Sequence, residues 1–379
     1  MQRIAQDWLV LSELTRHSGT AVGVVMALQF GPPIVLMSLA GMVVDHVDRR
    51  KLLIVTQSAM ALTALSLGVL VISGHAALWQ VYVIAGTMGC ITAFDSPARQ
   101  TFIAELVGDE DLPNAVALNS SLFNSAQLIG PAVGGVLISI VGAGWVFILN
   151  SVSFVAVIVS LMRMRVSEFH RTPRVVIPDG GVLAGLAYIR GKPELIMALV
   201  MLFIVGTYGL NFPVFISTMS ITTFHGGAHL YGILSSMMAI GSIIGALHVA
   251  GKDAPNLSFL ILSAFAFGIV GTIAAVMPEV GLFGLFLVAL GATTQMFTTT
   301  ANSLVQLSTN SSMRGRVMAI YMGIFLGCTP LGAPLVGWIA DTYGPRWSLG
   351  VGATAGFIAA GIGRIYEVRT RKTRERLPM

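Results

Sequence analysis

Long apolar runs, separated by short polar stretches, recur along the whole sequence. A helix needs about 20 apolar residues to cross a hydrocarbon core of roughly 30 Å. Uninterrupted runs of this length favour helices, because a helix satisfies its own backbone hydrogen bonds in lipid. We therefore predict an all-α, polytopic membrane protein with twelve spans, the first of them short. The predicted spans are 1–14, 20–44, 51–73, 77–98, 114–141, 145–164, 195–219, 229–250, 256–277, 281–305, 316–340 and 346–366.

Composition excludes several classes of protein. Of the 379 residues, 55% are hydrophobic and 10% are charged, whereas soluble domains carry about 25% charged residues. A soluble enzyme, a nucleic-acid-binding domain and a disordered scaffold are therefore excluded. The sequence has no G-x-x-x-x-G-K-[ST] phosphate loop, no metal-ligand spacing among its 7 His and no nucleophile arrangement. We expect no enzymatic activity, no cofactor, no metal and, with only two cysteines, no disulfide framework.

The distribution of basic residues predicts the orientation. Almost all of the 22 Lys and Arg residues fall on alternate loops and in the C-terminal tail. Cytoplasmic loops carry such an excess, so we expect a multi-pass protein of the cell membrane with a cytoplasmic C-terminus. The net charge of +5 is thus a topology signal, and we expect the lipid bilayer, not a nucleic acid, as the partner.

One long polar connection, at 166–193, divides the chain. It separates an N-terminal bundle at 1–165, holding spans one to six, from a C-terminal bundle at 194–366, holding spans seven to twelve. A basic cytoplasmic tail follows at 367–379. Within the connection, the amphipathic stretch 181–189 is interpreted either as a helix on the membrane surface or as part of a plain solvated linker.

An internal repeat relates the two bundles. A shift of 202 residues places Gly130 on Gly332 and Trp145 on Trp347, and earlier in each half the shift is about 209. Duplicated halves with pseudo-two-fold symmetry are a known transporter architecture. At the larger shift, about fifteen residues of the seventh span have no counterpart in the first. We therefore expect a shortened first helix, with further apolar residues encoded upstream.

Several motifs resemble the major facilitator superfamily. The stretch 41–51 (GMVVDHVDRRK) resembles its G-x-x-x-D-R-x-G-R-R/K signature, and 130–135 (GPAVGG) resembles its antiporter motif. The stretches 1–11, 95–100 and 112–115 are similar to the enterobactin-exporter and macrolide-efflux branch. The resemblance covers essentially the whole chain, but His46 and Asp48 replace the usual Arg and Gly of the first signature.

The first signature implies a cytoplasmic latch formed by Gly41, Asp45, Arg49 and Asp95. The resemblance implies that Arg49 pairs with Asp95 of the fourth span. It also implies that Asp45 faces the start of the eleventh span, where the N-terminus of a helix favours a nearby anion. Two alternatives stay open: the basic residues only mark topology, and Asp95 pairs with Arg99 on its own helix face.

The second motif consists of Gly130, Pro131, Gly134 and Gly135 in the fifth span. Proline bends a helix, and glycine allows a neighbouring helix to approach closely. The motif therefore predicts either a kinked helix that seals the protein against proton leak or ordinary tight packing.

Polar residues in the spans are candidates for a substrate path or for proton coupling. Asp7 lies one turn after Arg3, so it could load and release a proton near neutral pH or simply be neutralised by that cation. Other candidates recur at helical spacing and could line a cavity or join helices. They are Gln29, Asn124, Gln127, Gln295 and Thr299.

Together these observations predict a secondary active transporter that exports a small, partly apolar molecule, a siderophore or a drug, by alternating access. Its partners would be that substrate and protons, and we expect a monomer. The alternatives are transport of a lipid-like or metabolic solute, and a truncated membrane protein that no longer transports.

Overall fold

A computed structural model of the chain describes residues 1–165, 169, 181–250 and 256–375. All regular elements in these ranges are helical. The helices are α1 (Gln2–Trp8), α2 (Gly19–Val35), α3 (Met37–His46), α4 (Arg49–Ile72), α5 (Leu78–Arg163), α6 (Gly181–Arg190), α7 (Pro193–Gly209), α8 (Phe212–Thr218), α9 (Ala228–Ala250), α10 (Leu257–Val276), α11 (Val280–Leu307), α12 (Ser311–Tyr343) and α13 (Pro345–Glu375), with π-helical turns at Leu9–Leu14 and Met219–Thr223.

The described residues confirm the all-α membrane architecture. Eight of their helical segments are long and apolar enough to cross a membrane. The second predicted span is divided at Leu36 into α2 and α3. Pro32 and Pro33 lie just before this break, and proline removes helix hydrogen bonds, which explains the division.

Helix α5 includes the fourth, fifth and sixth predicted spans, although one straight helix cannot hold them. Gly134 and Asn150 would be about 24 Å apart along a straight helix. Gly134 nevertheless lies against Met1, and Asn150 bonds to Gln2. The chain therefore turns back between them, at Gly142, whose φ of +83° suits glycine.

A second reversal within α5 is required by the packing of its two ends. Phe102 and Leu161 share one buried cluster with Val44, Leu53 and Ala98. Leu161 lies only about half as far along the chain from the turn at Gly142 as Phe102 does. A straight helix from Phe102 to Gly142 would therefore carry Phe102 far past Leu161. Since the two side chains share one cluster, this longer stretch must also reverse direction. Consecutive spans among the fourth, fifth and sixth thus run in opposite directions within this unit.

The described chain separates into two compact units. The first consists of residues 1–177 together with 226–236, so it includes the beginning of α9. The second consists of residues 178–225 and 237–379.

In the second unit, α7 and α8 are separated by a break at Asn211. The Asn211 side-chain amide donates to the Thr207 carbonyl oxygen at 2.7 Å, which satisfies a backbone group near the end of α7. Gly332 of α12 packs onto the same carbonyl, because a Cβ at this position would lie only 1.6 Å from it. Only glycine fits there.

The amphipathic stretch forms helix α6 and is fastened to the turn between α11 and α12. The Lys192 ammonium donates to the Ser308 carbonyl oxygen at 2.7 Å, and the Asn310 N–H donates to the Tyr188 hydroxyl at 3.0 Å. The hydrogen bond from Lys192 and that from the Asn310 N–H lower the pKa of Tyr188. The stretch is therefore helical, and its place on the membrane surface stays a prediction.

Candidate functional site

The first helix carries a polar face inside the first unit. At 100° per residue, positions 2, 3, 6 and 7 fall within an arc of about 140°. These residues are Gln2, Arg3, Gln6 and Asp7. Ionisable side chains within a membrane span are costly and mark functional sites by default. The polar face of α1 is therefore the first candidate site.

Asp7 is the buried acid of this face. Its side chain is 5% exposed, and the Tyr231 hydroxyl at the start of α9 donates to its carboxylate at 2.9 Å. Arg3 lies one turn earlier, with its guanidinium 4.8 Å from the centre of the Phe30 ring. The carboxylate thus has one short hydrogen bond and a nearby cation, but forms no ion pair within 4 Å among the described residues.

Side-chain amides connect the same face to two other helical segments. Gln29 of α2 donates to the Gln6 side-chain oxygen at 3.0 Å, and Asn150 of α5 donates to that of Gln2 at 2.6 Å. The buried Nε2 atoms of Gln2 and Gln6 have no hydrogen-bond partner among the described residues. Predicted candidates Asp7 and Gln29 therefore belong to one polar cluster.

The latch residues are arranged differently from the prediction. Arg49 at the start of α4 forms an ion pair with Glu105 of α5. Asp95 instead accepts hydrogen bonds from Thr56 at 2.7 Å and Gln57 at 2.8 Å. In this structure Arg49 therefore pairs with Glu105 and not with Asp95, because α5 continues beyond the predicted end of the fourth span and brings Glu105 to Arg49. The latch itself stays a prediction.

Asp95 also pairs with Arg99, one turn later on its own helix, at 2.9 Å. This is the alternative considered above, and it leaves the carboxylate fully hydrogen-bonded at 5% exposure. A Cβ at Gly41 would meet nothing within 4 Å, so packing does not explain the glycine there. The side chain of Asp45 lies outside what the structure describes.

The fifth-span motif packs directly on other helices of the first unit. A Cβ at Gly135 would lie 2.6 Å from the Ala228 carbonyl oxygen and 3.0 Å from the Cα atom of Gly232. Likewise, a Cβ at Gly232 would lie 2.6 Å from the Pro131 carbonyl oxygen. The backbones of α5 and α9 are therefore in contact.

The same motif also faces α1. A Cβ at Gly134 would lie 3.4 Å from the Cα of Met1, and one at Gly130 would lie 3.9 Å from the Met1 nitrogen. Tight packing accounts for the choice of glycine at Gly135, and the sealing role stays a prediction.

The remaining polar candidates are divided between the units. In the second unit, Gln295 of α11 donates to the hydroxyl of Thr299 one turn later at 3.0 Å. Gln127 of α5 is exposed, and the side chain of Asn124 lies outside the described part. The stripe on α11 thus satisfies part of its own hydrogen bonding and stays a candidate substrate surface.

Sequence reasoning missed Tyr231, Asn150 and Glu105. Asn150 is an isolated amide inside an apolar span, which is a signal that could have been used. Tyr231 is separated from Asp7 by 224 residues, and Glu105 lies outside every predicted span, so neither pairing follows from local spacing. No group of three or more potential metal ligands occurs among the described residues.

A family model described as "Transmembrane secretion effector" matches residues 1–378. The chain belongs to this family of the major facilitator superfamily. The resemblance inferred from residues 41–51 and 130–135 is thereby confirmed.

The curated relatives include siderophore and drug transporters. The Staphyloferrin A transporter of Staphylococcus aureus is 26% identical over 90% of this chain and 86% of its own length. Macrolide efflux protein A of Streptococcus pyogenes is 24% identical over 95% of this chain and 91% of its own. The enterobactin exporter of Citrobacter koseri is 23% identical over 89% and 81%, respectively.

Solved structures support the fold. The D-xylose-proton symporter matches with a TM-score of 0.73 and 13% identity, over 96% of this chain and 94% of that one. At this identity the match establishes the architecture of a major facilitator transporter with two six-helix halves, and its substrate is not carried over. The chain is therefore a multi-pass membrane transporter protein.

Proposed function

We propose that this transporter exports a small, partly apolar molecule, of the siderophore or drug class, in exchange for protons entering the cell. The observation that carries the proposal is the buried Asp7 carboxylate, hydrogen-bonded by Tyr231 at 2.9 Å. An acid in a membrane span is retained at a cost of a few kcal/mol. A coupling role explains that cost, and the names of the relatives favour export.

The geometry suggests how a proton would act. When Asp7 is charged, the Tyr231 hydroxyl stabilises it by a hydrogen bond. The Arg3 cation, one turn earlier on the same helix, adds a longer-range attraction. Protonation removes the charge, so it weakens the contact between α1 and the start of α9. Proton binding thereby biases one arrangement of these helices over another, which is the requirement for alternating access.

Arg49 and Glu105 supply a second element. We propose that this ion pair, in place of the expected Arg49–Asp95 pair, holds the cytoplasmic ends of α4 and α5 in one state of the cycle. Only 16% of the Arg49 side chain and 19% of the Glu105 side chain are exposed, so solvent screens the pair less than a surface pair. The basic residues of the tail support a cytoplasmic C-terminus.

The function can be tested in everted vesicles from a host that lacks its own exporters. Lumenal pH is followed with a fluorescent weak base while erythromycin, enterobactin or a neutral sugar is added. We expect proton efflux and uptake of the drug or the siderophore, both abolished by nigericin. Uptake that is unaffected by nigericin would contradict proton coupling. The absence of any uptake or proton flux would support a transport-inactive protein.

A further inference from the structure

The end of α5 carries a cavity that the transport proposal does not use. Its volume is about 410 Å³, and it is lined by Ala156, Val159, Ser160, Arg163 and Met164. These residues follow one another at helical spacing and form one face of the helix. The cavity is thus a groove that is open to the surface, not an enclosed pocket.

Apolar side chains on the same stretch of α5 continue this cavity as an exposed surface. Val152 and Met162 are each 60% exposed, and Val155 is 48% exposed. In a membrane-spanning helix, a surface of this kind contacts acyl chains. The cavity therefore has an apolar side facing the hydrocarbon and a polar end formed by Ser160 and Arg163.

Arg163 is available to an external anion. It is the last residue of α5 and is exposed. The carbonyl oxygens at the end of this helix are already occupied, because the Arg50 guanidinium donates to that of Leu161 at 2.6 Å and that of Met162 at 2.8 Å. Arg163 is thus not needed as a cap, and it forms no ion pair with any described residue.

We propose that this cavity binds one anionic phospholipid of the cytoplasmic leaflet. The phosphate group would bind to Arg163 and the Ser160 hydroxyl, and one acyl chain would lie over Ala156 and Val159. Charge complementarity selects the occupant: Arg50 adds a second cation at this end of the helix. Basic residues near a membrane surface attract anionic lipids.

The test uses the full chain in nanodiscs that contain equal amounts of phosphatidylglycerol and phosphatidylcholine. After transfer to detergent and washing, the retained lipids are quantified by mass spectrometry. Arg163→Gln removes the charge, and Ala156→Phe fills the cavity with no change in charge. Arg190→Gln is the matched control, because Arg190 is also the exposed last residue of a helix. Size-exclusion chromatography checks that each variant is folded.

We expect the natural chain and Arg190→Gln to retain phosphatidylglycerol about tenfold over phosphatidylcholine. Both Arg163→Gln and Ala156→Phe should reduce this preference to less than twofold, and 1 M salt should weaken it in the natural chain. Equal retention of the two lipids by the natural chain would overturn the proposal. This measurement does not depend on whether any variant folds. A preference that persists in Arg163→Gln would overturn it as well.

Discussion

Both units place glycines against an early helix, but the polar groups beside these contacts differ. In the first unit, α1 lies against Gly130 and Gly134. In the second, the break between α7 and α8 lies against Gly332, the repeat partner of Gly130. Repeat-related glycines therefore lie at a helix contact in both units, as expected of a duplicated architecture. The contact is ordinary for a Cβ at Gly130, 3.9 Å from the Met1 nitrogen, and very close for one at Gly332, 1.6 Å from the Thr207 carbonyl oxygen.

The polar groups at these two places are not equivalent. The face of α1 carries Arg3 and Asp7, whereas the break in the second unit carries the uncharged side chains of Thr207 and Asn211. Ionisable side chains thus lie at this place in the first unit, and uncharged ones in the second. Under the proposed function, the proton would bind in the first unit, and the second would contribute neutral hydrogen bonds.

The shared packing gives the largest expected effect. Gly135→Ala and Gly332→Ala each place a Cβ within 2.6 Å of a backbone oxygen. Overpacking of this kind costs about 1–3 kcal/mol or more, so we expect a clear loss of folded protein and a lower Tm in both variants. Gly86→Ala, where a Cβ meets nothing within 4 Å, is the control and should keep its Tm. If either close-packed glycine tolerates alanine at full Tm, close backbone packing is not what requires glycine at that helix contact.

The ion pair of the first unit comes next. Arg49→Gln and Glu105→Gln should each lower the initial rate of export about tenfold, because each leaves a half-buried charge without its partner. Exchange of the two charges should restore part of the rate. Surface expression is measured in parallel. Should Asp95→Asn be as harmful as Arg49→Gln while Glu105→Gln is harmless, the original Arg49–Asp95 latch would be the correct one.

These two cases show which features could be predicted from sequence. The spans follow from apolar run length, because lipid imposes that length on every helix. The Gly130 motif and its repeat partner follow from local spacing as well. Glu105 was missed because a helix can continue beyond the hydrocarbon core of the membrane. The apolar run does not show where such a helix ends.

The contact between Asp7 and Tyr231 could not be predicted for another reason. It joins residues far apart in the chain, and it depends on how α9 begins beside α1. A single sequence, read without an alignment, carries no signal for such a contact. Asp7 itself could be identified from the sequence, because a charged residue inside an apolar span indicates a functional site even when its partner is unknown.

An effect of similar size is expected from Tyr231→Phe. The hydroxyl is the hydrogen-bond donor to the Asp7 carboxylate, and a hydrogen bond to a charged group contributes about 1.5–3 kcal/mol. Gradient-driven export should fall about tenfold, with substrate binding unchanged when measured in nanodiscs. Tyr343→Phe is the control, since Tyr343 is 62% exposed. Equal export rates for the two variants would remove Tyr231 from the coupling site.

The smallest effect concerns the neutral stripe of the second unit. Gln295→Leu removes the hydrogen bond to Thr299 and one polar group of the candidate substrate surface. We expect a two- to fivefold change in the ratio of erythromycin to enterobactin export, with an unaltered number of protons moved per substrate. A change in that number with no change in selectivity would place coupling chemistry in the second unit.

The most direct test of the account is Asp7→Asn in proteoliposomes, compared with Asp341→Asn, an exposed acid of α12. Two rates are measured on each variant: uphill transport driven by a pH gradient, and exchange of labelled for unlabelled substrate without a gradient. We predict that Asp7→Asn loses uphill transport and keeps exchange, while Asp341→Asn keeps both. Uphill transport at the natural rate in Asp7→Asn would contradict the assignment of proton coupling to the first unit.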